Sequence, residues 1–86
     1  MSFSESNAFP LRIPTIRADF NHKDQAGRVR LDTPDAREDI ERLGDHIHDG
    51  TRVLVHDEGG YQAECLLEHV EGEWRARELS GTGSRW

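Results

Sequence analysis

The stretch Thr51–Leu79, TRVLVHDEGGYQAECLLEHVEGEWRAREL, decides the fold because it specifies its own strand pairing. Two short glycine-bearing loops divide it into three strands. A two-residue connection at Glu71-Gly72 sets Leu67 opposite Ala76, His69 opposite Trp74 and Cys65 opposite Glu78. One face then collects Tyr61, Ala63, Cys65, Leu67, Trp74 and Ala76, and the alternating residues fall on the other. A three-residue loop at Glu58-Gly59-Gly60, with glycine free to take positive φ, sets Val55 opposite Ala63 and Val53 opposite Cys65. A four-residue loop would pair Val55 with Gln62 and turn that strand's apolar residues to the wrong side, which selects the shorter loop.

Upstream, Asp32–Gly44 (DTPDAREDIERLG) carries the helix signals of the chain: Thr33 as N-cap, Pro34 at the first helical position, acids in the opening turn and Gly44 past the end. Ala36, Ile40 and Leu43 form one narrow apolar stripe, with Glu38 and Arg42 in the favourable i, i+4 order on the surface. One helical turn followed by irregular chain fits the same residues. Before it, Ile16, Ala18 and Phe20 alternate with Arg17 and Asp19, and Val29 and Leu31 alternate with Arg28 and Arg30. These two strands are expected to pair antiparallel across the polar loop Asn21–Gly27. Residues 1–12 read as a flexible arm and residues 80–86 as a disordered tail, which leaves a single domain over 13–79.

The order strand, strand, helix, strand, strand, strand predicts an all-β fold with one short helix, a five-stranded small barrel. Its expected core is Ile16, Ala18, Phe20, Val29, Leu31, Val53, Val55, Ala63, Cys65, Leu67, Trp74 and Ala76. With 86 residues there is room for one such domain. A formal net charge of −6 weighs against nonspecific attraction to nucleic acid. One cysteine permits no internal disulfide, and no apolar run approaches a signal or membrane segment, so the reading is a reducing cytoplasm.

The series ADF…GRVRLDT, DIERLG, DGTRVLVHDE and GEWRA, spanning Ala18 to Ala76, is similar to small uncharacterised bacterial proteins that look like SH3-like or tudor-like barrels. The resemblance implies the fold and no reaction. Tudor-type recognition needs an aromatic cage, and the aromatic residues of the barrel segment, Phe20, Tyr61 and Trp74, are assigned to the core or its rim.

No motif points to catalysis or to a cofactor. Cys65 lies on the core face as a small hydrophobe without the exposed, electropositive setting of a nucleophile. His46 and His48 share a face on extended chain and offer two imidazoles to a divalent metal, although a structural site needs four ligands. Arg17, Arg28, Arg30, Arg52, Arg75 and Arg77 fall on the outer face, where Glu68 opposite Arg75 and Glu64 diagonal to Arg77 are expected to neutralise part of the set. Arg28, Arg30, Arg75 and Arg77 are the residues a nucleic-acid or ribosome-associated binder would use. The same face carries Leu54, Leu66, Val70 and Leu79, which the stripe of Ile40 and Leu43, or Phe9 and Leu11 of the arm, can cover. If they stay uncovered, Leu54, Leu66 and Leu79 rimmed by Arg75 and Arg77 form a docking patch for a protein partner or a second copy of the chain. The sequence therefore predicts a non-enzymatic interaction module.

Overall fold

In the computed structural model, which describes residues 13–85, the three-strand meander has the predicted register. β3 (Arg52–Asp57), β4 (Tyr61–Val70) and β5 (Glu73–Glu78) pair antiparallel. Val55 faces Ala63, Val53 faces Cys65, Leu67 faces Ala76 and His69 faces Trp74. At the tighter hairpin both connecting residues take positive φ, Glu71 at 54° and Gly72 at 82°, the backbone that matches the twist of a two-residue turn.

The remaining strands attach at the edges. β1 (Thr15–Arg17) runs parallel to β3, and β2 (Val29–Arg30) runs antiparallel to β5, so the path across the sheet is β1-β3-β4-β5-β2. The expected β1–β2 pairing is thus replaced by one isolated antiparallel bridge, Lys23 with Val29. The reason lies in the chain after β1. Ala18 N–H still donates to His56 O and Phe20 N–H to Asp57 Oδ2, and then a turn from Asp19 carries His22 to the far edge, where its carbonyl accepts from Arg30 N–H. One segment therefore touches both outer strands, and the sheet curls into a half-barrel.

The segment after Leu79, expected as a disordered tail, is described through residue 85 and returns to the sheet. Ser84–Arg85 form β6 against Gln62 and Tyr61, on the β4 edge that β5 has just left. In the gap between β5 and β6, the Thr82 hydroxyl accepts from Glu64 N–H at 3.0 Å and so stands in for the missing ladder bond. The predicted arm lies outside the described residues.

Helix α1 (Pro34–Leu43) is capped as its sequence requires: Thr33 Oγ1 accepts from Ala36 N–H at 3.2 Å, and Gly44 takes φ 52° beyond the last turn. A 3-10 turn (Gly44–His46) follows. The core holds Ile16, Phe20, Val29, Leu31, Ala36, Ile47, Val53, Val55, Ala63, Cys65, Leu67 and Ala76. Ala18 and Trp74 only border it, while Ala36 and Ile47 join it. The stripe of Ile40 and Leu43 packs against this core, so the helix is spent there and not on the outer-face leucines. Among the described residues no helix is long and apolar enough to cross a membrane.

Candidate interaction groove

The core face runs out beyond Leu67. At the hairpin end His69 is exposed and Trp74 half-buried, their rings 4.7 Å apart and tilted by 53°. Trp74 then becomes one wall of a groove of about 650 Å³ between α1 and the β4–β5 hairpin. Leu31, Pro34 and Ile40 supply the rest of its apolar lining. The charged lining is lopsided: Asp32, Asp35, Glu38, Glu41 and Glu73 against Arg37 alone. Four of these carboxylates are tethered by cations that do not line the groove. Arg17 reaches Glu38 at 2.7 Å and Asp35 at 3.7 Å, Arg30 reaches Asp32 at 3.2 Å, and Arg75 reaches Glu73 at 3.0 Å. Glu41 is exposed and has no ion pair among the described residues. The sequence reading missed this site because it assigned Trp74 to the core or its rim and read the helix acids only as surface residues.

The predicted docking patch is arranged differently. Leu54 is the cross-strand partner of Glu64, Leu66 sits one alternation along β4, and Leu79 N–H donates to Glu64 O, so the three leucines gather around Glu64 on the outer face. All three are half-buried. Arg75 and Arg77 do not stand ready beside them. Arg75 is only 8% exposed and is held by Asp24 at 2.8 Å and by Glu73, and Arg77 donates to Glu68 at 2.6 Å.

The outer face is neutralised more completely than expected, and through other partners. Glu68 faces Arg75 in the ladder but accepts from Arg77 and Arg28, whose hydrogen bonds hold its carboxyl below the usual range. Glu64 pairs with Arg52 at 3.4 Å and not with Arg77. Asp24 gathers Arg28 and Arg75 and also accepts from the N–H groups of Ala26 and Arg28. Its partial burial favours the protonated form, yet these donors prevail and bring its pKa down to about 2.

A second centre links the helix to β1. Asp39, 2% exposed, accepts from Arg17 N–H at 2.8 Å, Arg17 Nε at 3.0 Å, Arg17 Nη2 at 3.0 Å and Arg42 Nη2 at 2.6 Å. Burial opposes the charge and the arginine hydrogen bonds outweigh it, leaving the pKa at about 2. Arg42 therefore serves Asp39 and not Glu38 as the i, i+4 rule predicts.

His46 ends the 3-10 turn and His48 follows the buried Ile47, both exposed. Among the described residues no group of three or more metal-ligating side chains gathers around them. Cys65 is fully buried, and desolvation, reinforced by the Glu78 charge, pushes its thiol up to about 12. Comparison with protein-family models, curated proteins and solved structures finds no match to this chain.

Proposed function

We propose that the chain is a small non-enzymatic protein-interaction module of the cytoplasm, an SH3-like barrel whose binding site is the groove between α1 and the β4–β5 hairpin. The observation that carries the reading is Trp74. A large aromatic side chain left half-exposed beside Leu31, Pro34 and Ile40, in a groove of about 650 Å³, has the makeup of a docking anchor with a polar rim. A photo-crosslinking residue at Arg37, which lines the groove, and one at the exposed Asp49, which does not, test it in the cells that make the protein. The reading expects one adduct of defined mass from position 37 and none from position 49. Equal labelling from both, or none from position 37, sinks it.

A second mode, self-association, draws on Leu54, Leu66 and Leu79 gathered around Glu64. Sedimentation velocity up to several hundred micromolar checks it, with Leu66→Lys as the variant that abolishes any dimer. A strict monomer ends this mode without touching the groove. The nucleic-acid alternative draws less support, since Arg28, Arg30, Arg75 and Arg77 each already hold a carboxylate. The metal alternative has two exposed histidines and no third ligand beside them among the described residues.

A further inference from the structure

We propose that the groove takes an extended basic segment of a partner protein, one apolar side chain lying between two Arg or Lys residues; this rests on the groove being the binding site. Length comes first. The ten residues of α1 run about 15 Å at the helical rise, the reach of four to five residues of extended chain, so a short linear segment fits alongside it. The apolar lining sits between α1 and the hairpin, with Trp74 and Leu31 on the sheet side and Ile40 and Pro34 on the helix side. An apolar side chain entering there is bounded on both sides by carboxylates: Asp35, Glu38 and Glu41 from the helix, Glu73 from β5 and Asp32 from the link between β2 and α1.

Sign complementarity then selects the flanking residues. The arginines that tether these acids, Arg17, Arg30 and Arg75, are not lining residues, so a cation entering the groove meets carboxylate oxygens while an anion meets them with only Arg37 in compensation. Glu41 adds a carboxylate with no cation to share among the described residues. The Trp74 ring favours the same class of ligand, because a guanidinium or ammonium over an indole face is attracted by its quadrupole. A patch of this kind gains on-rate and specificity from charge more than raw affinity, so binding should weaken steeply with salt.

The experiment titrates three nine-residue peptides, each with one central leucine flanked by Arg, by Ser or by Glu, onto the 15N-labelled full chain, following the Trp74 indole signal at low and at high salt. The expected result is that the Arg peptide binds at least tenfold tighter than the Glu peptide and loses most of that advantage in high salt. Glu41→Lys should remove the preference, while Asp49→Lys, the same change in net charge at an exposed site off the groove, should leave it. Both substitutions are on the surface, so thermal melts should be unchanged. If the Ser or Glu peptide binds as well as the Arg peptide, or if Asp49→Lys weakens binding as much as Glu41→Lys, charge selection by the groove is overturned while the groove stands. If none of the three moves the Trp74 signal, the groove itself is not the site and this proposal goes with it.

Discussion

Arg30 on β2 and Arg75 on β5 are direct partners across the ladder, two like charges where a sheet gains from opposite ones. Glu73 Oε1 lies between them, 3.0 Å from Arg75 Nη2 and 3.6 Å from Arg30 Nη2. Asp24 takes the other arm of Arg75, and Asp32 takes Arg30. From there the ionic chain runs through Arg28 and Glu68 to Arg77. The outer face of β2, β5 and β4 is thus tied together by alternating charges and has little left for an external phosphate. The Nε–H of both facing arginines is buried without a partner among the described residues, which adds to the cost of the arrangement.

Glu73→Gln removes the charge that makes the Arg30–Arg75 opposition tolerable. We expect Tm to fall by about 5 °C, the scale on which a partly exposed ion pair in a small domain registers. Glu71→Gln, on the exposed turn, is the control and should leave Tm unchanged. Adding Arg30→Ser to Glu73→Gln should recover part of the loss, because the repulsion goes with the arginine. A strictly additive double mutant would show that Glu73 is not screening the pair.

The meander was legible from residues because turn chemistry and alternation point to one register, and a slip by one residue would have turned Val53 and Val55 outward. The helix ends were legible for the same reason, since Thr33, Pro34 and Gly44 are local signals. What escaped were long-range choices. Asp39 sits three residues after Ala36, on the buried side of α1, and little in the local sequence says that an acid belongs there; Arg42 supplies one hydrogen bond, but the other three come from Arg17, 22 positions away. Likewise Ala18 and Phe20 alternate as a strand should, yet the chain leaves the β3 edge after Ala18, because Asp57 accepts from Phe20 N–H and turns it toward β2. The groove was half visible, in the helix acids and in Trp74, but their juxtaposition depends on where α1 crosses the sheet.

Asp39 offers the sharpest test of the helix–strand link. Arg17→Met keeps the aliphatic stem and leaves the carboxylate with Arg42 and the residue-17 N–H but without the guanidinium, which we expect to cost about 3 kcal/mol in chemical denaturation, the scale for a buried charge that loses its main partner. Arg17→Met with Asp39→Leu should be more stable than Arg17→Met alone, because the buried charge is gone. A double variant no better than the single one would show that the cost lies in lost packing.

The same carboxylate predicts the acid limit of the fold. Asp39 and Asp24 both titrate at about 2 in the folded chain, below the ordinary carboxylate value they regain on unfolding. A depressed folded pKa means that the unfolded chain binds protons first, so their stabilisation is complete above about pH 4 and is lost as pH falls toward 2. Urea midpoints measured from pH 6 down to pH 2 should therefore stay level and then drop below about pH 4. Asp39→Asn should flatten that drop; an unchanged slope would exclude Asp39 as a source.

Cys65 should behave as a core side chain and not as a thiol. With no exposed surface and its titration pushed up to about 12 by burial, it is protonated at neutral pH and out of reach of reagent. A thiol-specific disulfide reagent at pH 8 should label it only at the rate of unfolding, and at once in denaturant. Rapid labelling of the native chain would place Cys65 at a surface and undo the inward register of β4.

Gly83 is where the tail depends on a missing side chain. A Cβ built there would fall on the Tyr61 hydroxyl, which donates to Glu78. That hydrogen bond, followed by partial burial, raises the Tyr61 pKa above its ordinary value. Tyr61 is the one tyrosine of the chain, so an ultraviolet titration reads it alone. In Gly83→Ala either the ring leaves Glu78 or β6 leaves β4, and the two fates differ in readout. A tyrosine titration that falls back toward the ordinary value reports the first. Faster amide exchange over Tyr61–Gln62, with the titration still raised, reports the second, because those residues pair with Ser84 and Arg85. A variant that keeps both the raised titration and the protected amides would mean that residue 83 does not pass over the Tyr61 ring, and that the tail is not held in the way described.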